Sequence, residues 1–391
     1  MTIWRHSFLL VAASALLVGA CSGGAGASPG GAAATGGTSA SAAPTGAAPE
    51  SVAPASADPA ASSAADICTN PPKAPEGAAL TFSSYGGAYQ EAQRKGWLEP
   101  YAALTGVKFQ ESEDSSNATI KAQVESGQVT WDIVDVGNDF GLDANADLLE
   151  PLDYTKIKKD EILDGFAGTY RVADITYGVV LAYNTDKTGG QVPQGWADYF
   201  DTAKFPGKRG MYDYSAGGIF EVALMADGVA PKDLYPLDIP RAVKKLDTIK
   251  EDLVFWGSGA ESQDLIGKGE VAMSLIWNGR AYSAKNIDKK PVEIQWKGQI
   301  VTSDYFVVPK GTPNKDLAMD FIAWATCKEN NGAPSKYIPY GPTNKNAPAD
   351  PANAAQLSVS NVDESTAYFD DVWVVENAQL LEDAYQEWKT K

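Results

Sequence analysis

Residues 79–137, ALTFSSYGGAYQEAQRKGWLEPYAALTGVKFQESEDSSNATIKAQVESGQVTWDIVDVG, decide the fold. Ala79 to Ser84 is an apolar run of strand length that stops at the turn Gly86-Gly87. From Ala88 to Leu104 the apolar residues Trp97, Tyr101 and Leu104 fall at helical spacing, and Gly106 ends the helix. Val107 to Gln110 is the next strand. Asn117 to Glu125 is a short helix with Ile120 and Val124 inward and Gly127 past its end, and Trp131 to Val136 is a third strand closing on Gly137. Strands alternating with helices in this way predict a mostly parallel sheet with helices on both faces.

The alternation resumes after a strand at Ile175 to Asn184. Strands are predicted near Gly210 to Tyr212, Val254 to Trp256 and Val271 to Trp277, with helices near Ile219 to Asp227, Pro240 to Ile249 and Ser262 to Ile266. Two further strands, Val292 to Trp296 and Asp304 to Val308, precede a helix from Lys315 to Cys327. The expected fold is α/β, with two doubly wound, mostly parallel lobes joined by a hinge. Ligands of such folds sit at strand C-terminal ends, here in the interlobe cleft. The expected boundaries are 78–180 for the first part of lobe 1, 181–290 for lobe 2 and 291–340 for the return into lobe 1. Residues 341–391 are expected to pack across the lobes.

Upstream of the folded body the chain has a different character. Arg5 and His6 lead into an apolar run, Phe8 to Val18, followed by Gly19-Ala20-Cys21. That run is shorter than the roughly 20 residues that span a bilayer and reads as a signal-peptide core. A small-residue pair before Cys resembles a bacterial lipobox. Residues 1–20 are therefore expected to be removed and Cys21 to carry diacylglycerol, at the outer face of the cell membrane. Residues 21–77 are expected to form a tether: from Ser22 to Ala65 nearly every residue is Gly, Ala, Ser, Thr or Pro, with Glu50 and Asp58 the only charges.

The composition excludes several functions. Net charge is −18, which argues against nucleic acid and anionic membrane surfaces as partners. The single histidine is His6, inside the segment expected to be removed, so neither Ser-His-Asp nor Cys-His chemistry is available. No G-x-S-x-G, H-E-x-x-H, Walker A or G-x-G-x-x-G pattern occurs. The expectation is a binding protein, not an enzyme, with no metal or cofactor. A carboxylate-based surface glycosidase and an adhesive lipoprotein are the rivals. Once Cys21 is assigned to the lipid, Cys68 and Cys327 remain, and in an exported protein they read as one disulfide; two separate buried thiols are the alternative.

Six pieces then occur in order: SYGGAYQEA from Ser84, WDIVD from Trp131, YGVVLAYNTD from Tyr177, IWNGR from Ile276, SDYFVVPKGTPN from Ser303 and YIPYGPTN from Tyr337. Together they resemble the spermidine/putrescine type of ABC-transporter solute-binding protein, with the type II periplasmic binding fold, over essentially the whole folded body. The resemblance implies a small-molecule ligand held between lobes by aromatic faces and carboxylates, hinge closure, and delivery to a membrane permease. Cation–π contacts there are worth about 0.5–2 kcal/mol each.

Carried onto this sequence, the implied positions are Ser84 and Tyr85 in the first loop and Gly137 and Asp139 after the third strand. The second lobe supplies Trp256 and Trp277, the return Asp304 and Tyr305, and the last motif Tyr340. Asp213, Tyr214 and Ser215 stand before a Gly-Gly pair and a helix, as a further cleft-facing candidate. One departure stands out: Arg280 ends Trp277-Asn278-Gly279-Arg280, where polyamine binders of this type commonly carry an acidic or neutral residue. A guanidinium is built to grip a carboxylate. With Asp304 for an ammonium, the pair fits a zwitterion with separated charges. The W-x-G-R pattern resembles that of family members that bind ω-amino acids such as γ-aminobutyrate, which implies a small amino-acid-like ligand, with a polyamine as the alternative. Arg280 pairing with a protein carboxylate, Trp277 as plain core and Asp304 as a turn residue are the competing structural roles.

Overall fold

A computed structural model describes residues 66–391; the expected signal peptide, Cys21 and most of the tether lie outside the described residues. The chain enters through β1 (Ala79–Ser83) and one long helical segment. That segment is α1 (Gly87–Gln93), a π-turn at Arg94–Leu98 and α2 (Glu99–Thr105), and it stops at Gly106 with φ 84°. There follow β2 (Lys108–Ser112), α3 (Asn117–Ser126) and β3 (Ile133–Val136). β1 lies parallel to both β2 and β3. The run read first from sequence is therefore present with its boundaries moved by one or two residues.

A long strand, β4 (Val172–Asn184), then carries the chain into α4 (Trp196–Tyr199), β5 (Arg209–Tyr212) and α5 (Ile219–Ala226). Next come α6 (Ile239–Asp247), β6 (Leu253–Trp256), α7 (Gly259–Lys268) and β7 (Met273–Trp277). α6 shows how local sequence sets an element: the Asp238 carboxylate accepts from Arg241 N at 3.1 Å, and Ile239, Ala242 and Leu246 share the buried face. α8 (Asn278–Tyr282) leads into β8 (Val292–Val307), and α9 (Lys315–Ala325) ends beside Cys327. Short strands β9 (Gly341–Pro342) and β10 (Ala367–Tyr368) precede α10 (Asp371–Glu376) and α11 (Ala378–Thr390).

The strand order is β2-β1-β3-β8-β4-β7-β5-β6, with β9 added to β4 and β10 to β8. Each end of this sheet is parallel, while β8 is antiparallel to β3 and β4, and β4 to β7. The two doubly wound lobes are joined by β4 and β8, which run through both and make the whole one continuous mixed sheet. Expected strands 292–296 and 304–308 are the two ends of β8. Gly298, between them, takes φ 79°, yet the chain continues pairing after a register shift against β4. Position 180, the expected lobe boundary, falls inside β4.

Each lobe has its own core. In lobe 1, Leu80, Phe82, Trp97, Phe306, Phe321 and Trp324 are buried together; in lobe 2, Val180, Tyr199, Phe220, Leu246, Trp256 and Ile276 are. The C-terminal helices belong mainly to lobe 2, whose core takes Val374, Leu381, Tyr385 and Trp388. Cys68 and Cys327 are bonded, with S–S 2.03 Å and Cα atoms 5.6 Å apart, which ties the chain ahead of β1 to the end of α9.

Candidate ligand-binding cleft

A cleft with about 560 Å³ of empty space, its open mouth included, lies where strand ends of the two lobes meet. Lobe 1 supplies Tyr85 and Tyr89 from the turn and first helix, the loop Gly137-Asn138-Asp139 after β3, and Tyr340. Lobe 2 supplies Tyr212 at the end of β5, Tyr214 just beyond it and Trp277 at the end of β7. The crossing strands contribute Tyr177 and Val179 from β4 and Asp304 from β8. Phe369 reaches in from the C-terminal segment.

The rings brace one another edge to face. Tyr85 and Trp277 stand 6.2 Å apart, Tyr212 and Trp277 5.4 Å, and Tyr89 and Tyr340 5.2 Å. Such walls offer flat apolar faces to a methylene chain and electron-rich faces to a cation.

Behind them stands a group of carboxylates. Asp304 is 6% exposed, and its carboxyl is pushed well above the usual range by burial and by the neighbouring Asp135 and Asp174, against a hydrogen bond from Tyr177. Asp135 is pushed up to about 7 by burial, although the Gln93 amide, the Tyr89 hydroxyl and the Ser84 hydroxyl oppose this. Asp135 Oδ2 accepts from Gln93 Nε2 at 2.6 Å and from Ser84 Oγ at 3.0 Å, while Oδ1 has no partner among the described residues. Asp174 is raised well above its usual range by burial and by Asp135; it accepts from the Tyr89 hydroxyl at 3.0 Å. Among the described residues no ion pair includes Asp135, Asp174 or Asp304. Buried carboxylates left without a cation are costly unless protonated or met by a cationic ligand.

Of the positions expected from sequence, Tyr85, Gly137, Asp139, Tyr214, Trp277, Asp304 and Tyr340 line the cleft. The others stand outside its lining. Ser84 lies one layer back, its Oγ shared between Asp135 Oδ2 and Gln93 Oε1, the latter 2.6 Å away. Trp256 is fully buried and stacks behind Tyr212, with centroids 4.4 Å apart, so Tyr212 presents its ring where Trp256 was expected. Tyr305 faces away from the cleft because successive strand residues point to opposite sides; its ring lies under the Arg171 guanidinium at 3.8 Å. Asp213 and Ser215 serve the C-terminal helix: Tyr385 donates to Asp213 at 2.5 Å, and Ser215 to Glu382 at 2.7 Å.

Arg280 does not line the wall either. The first turn of α8 sends it toward lobe 1, where Nη2 donates to Gly86 O at 3.0 Å. Among the described residues its buried Nε and Nη1 find no partner. Tyr89, Tyr177, Tyr212 and Phe369 were missed. Tyr89 follows Tyr85 by one helical turn and Tyr177 opens a quoted motif, so both carried a usable signal. Tyr212 and Phe369 carried none, because only tertiary packing brings them here.

Residues 96–358 match the family described as bacterial extracellular solute-binding protein. The chain belongs to this family. Solute-binding relatives show the same relationship along most of their length. The chain is 33% identical over 324 residues to a gamma-aminobutyric acid-binding protein of Pseudomonas aeruginosa, covering 80% of this chain and 91% of that one. It is 24% identical over 240 residues to the spermidine/putrescine-binding periplasmic protein of Escherichia coli K12, 58% of this chain and 68% of that one. Among solved structures, one described as the Atu4243-GABA receptor superposes with a TM-score of 0.73 at 40% identity, over 79% of this chain and 97% of that one. The two-lobe α/β architecture is therefore that of a periplasmic binding protein, and the aromatic cleft occupies its interlobe position.

Proposed function

We propose that this solute-binding protein captures a small zwitterionic amine of the γ-aminobutyrate type and delivers it to the permease of an ABC importer. It works at the outer membrane face, held there by lipid on Cys21. The observation that carries the ligand class is Asp304, a buried carboxyl without a cationic partner among the described residues, on an aromatic-walled cleft. An ammonium placed there meets a carboxylate and several ring faces at once. Arg280 stands outside the cleft lining, with two buried donors that find no partner among the described residues, so the carboxylate end of the ligand rests on the relatives. Both similar proteins named for γ-aminobutyrate are closer in identity than the polyamine binder. Lobe closure follows from ligand groups held by both lobes, since a ligand shifts the equilibrium only by its differential affinity.

A polyamine is the second reading, favoured by one feature: Asp139 on the lobe 1 loop gives the cleft a further carboxylate for a second ammonium. Calorimetric titration of the wild type and Asp304→Asn with γ-aminobutyrate, putrescine and spermidine separates the two. γ-Aminobutyrate is expected to bind the wild type, and the variant to lose about 10- to 150-fold, the worth of a hydrogen bond to a charged group. Binding of putrescine or spermidine alone would replace the first reading by the second. An affinity unchanged in Asp304→Asn would remove the aspartate from the site.

A further inference from the structure

We infer that Asp371, outside the cleft, is a clasp: a positioning residue that holds the ligand loop 137–139 of lobe 1 against lobe 2 and slows solute escape. The inference rests on the reading of the cleft as the solute site. Asp371 opens α10, between Phe369 and Trp373, which both pack against the lobe 2 core. Its side chain nevertheless reaches lobe 1. Asn138 Nδ2 donates to its Oδ1 at 3.2 Å, while Arg171 Nη2 at 2.7 Å and the Tyr305 hydroxyl at 3.1 Å donate to Oδ2.

Arg171 extends the grip to the loop backbone. Its Nη1 donates to Asn138 O at 2.7 Å and to Phe140 O at 2.9 Å. Arg171 is 3% exposed, and among the described residues Asp371 is the carboxylate that pairs with it. On the other side of the same loop, the lobe 2 hydroxyl of Tyr214 donates to Asp139. Lobe 2 thus holds Asn138 and Asp139 from two directions, and these residues line the cleft. Phe369, two positions before Asp371, lines it as well.

The pairing has a kinetic consequence. When the lobes part around the loop, a buried guanidinium must give up its carboxylate, an event opposed by the charge left behind. Solute passes in and out through conformers in which these contacts are open, and once enclosed it leaves only after they break, so the clasp acts chiefly on dissociation.

The test uses the full chain carrying Asp371→Asn, which keeps the shape and removes the charge, with Asn138→Ala as a second variant. Two quantities are read: γ-aminobutyrate association and dissociation by stopped flow, and hydrogen exchange of amides 137–141 without ligand. Dissociation is expected to rise roughly 10-fold or more in Asp371→Asn, with association changed little. Exchange at 137–141 is expected to speed up in the same variant, and Asn138→Ala to follow with a smaller effect. An unchanged dissociation rate overturns the clasp. So does a loss of affinity that appears in association and is matched by a general fall in stability. If the wild type fails to bind γ-aminobutyrate, the amine assignment fails, and the exchange measurement alone decides: unchanged protection of 137–141 in Asp371→Asn sinks the clasp.

Discussion

Asp304 and Tyr305 are adjacent in β8 and serve opposite sides of the sheet, one in the cleft and one beneath Arg171. The behaviour of Asp304 is set by its company. Asp135, Asp174 and Asp304 all hold protons more tightly in the fold than in the unfolded chain, chiefly through burial. Their folded-state values are raised, so the folded state binds more protons and stability falls as pH rises. The window opens near the ordinary carboxylate range and extends at least to about 7, the value for Asp135. Glu221, buried and also raised to about 7, adds to the same slope. Thermal denaturation of ligand-free protein should therefore show a melting temperature that declines between pH 5 and 8. Asp135→Asn should flatten the decline without abolishing it; an equal slope in the variant would mean that Asp135 is ionised throughout. Asp304, Trp277 and Tyr340 were legible in the sequence because they stand in motifs. Arg280 was legible as a lone cation near the site, but its direction was not, since a single turn of α8 aims it at Gly86.

At the scale of elements, α8 has five residues, too few for periodicity to reveal, yet its Gly279 backs the Tyr340 ring that lines the cleft. Gly279 lies under the Tyr340 ring: a Cβ there would come within 2.5 Å of Cε1 and 2.7 Å of Ile338 Cδ1. Gly279→Ala is expected to cost about 1–3 kcal/mol of stability by overpacking. It should also weaken γ-aminobutyrate binding, because the ring must move and the cleft is where it borders open space. Denaturant unfolding and calorimetry check the two effects; full affinity in a destabilised variant would place Tyr340 apart from the ligand. The long helices and most strands were readable because their apolar spacing is regular. β8 was read as two strands for a physical reason: Gly298 bends like a turn residue, while the pairing that carries the strand past it comes from β4, distant in sequence.

For the molecule as a whole, the bond between Cys68 and Cys327 spans 259 positions of sequence and lies within lobe 1. Replacing both cysteines by Ala should lower stability by about 2–5 kcal/mol through the freer unfolded chain. Affinity should hold, since neither residue lines the cleft. A melting scan with a parallel titration tests both statements, and weakened binding at equal stability would contradict them. That bond also fixes how the protein can be held. Just after the described chain begins, at Cys68, it is stitched to lobe 1, whereas its last helix is sunk in the core of lobe 2. A pull arriving from the N-terminal side therefore loads one jaw and leaves the other free to swing.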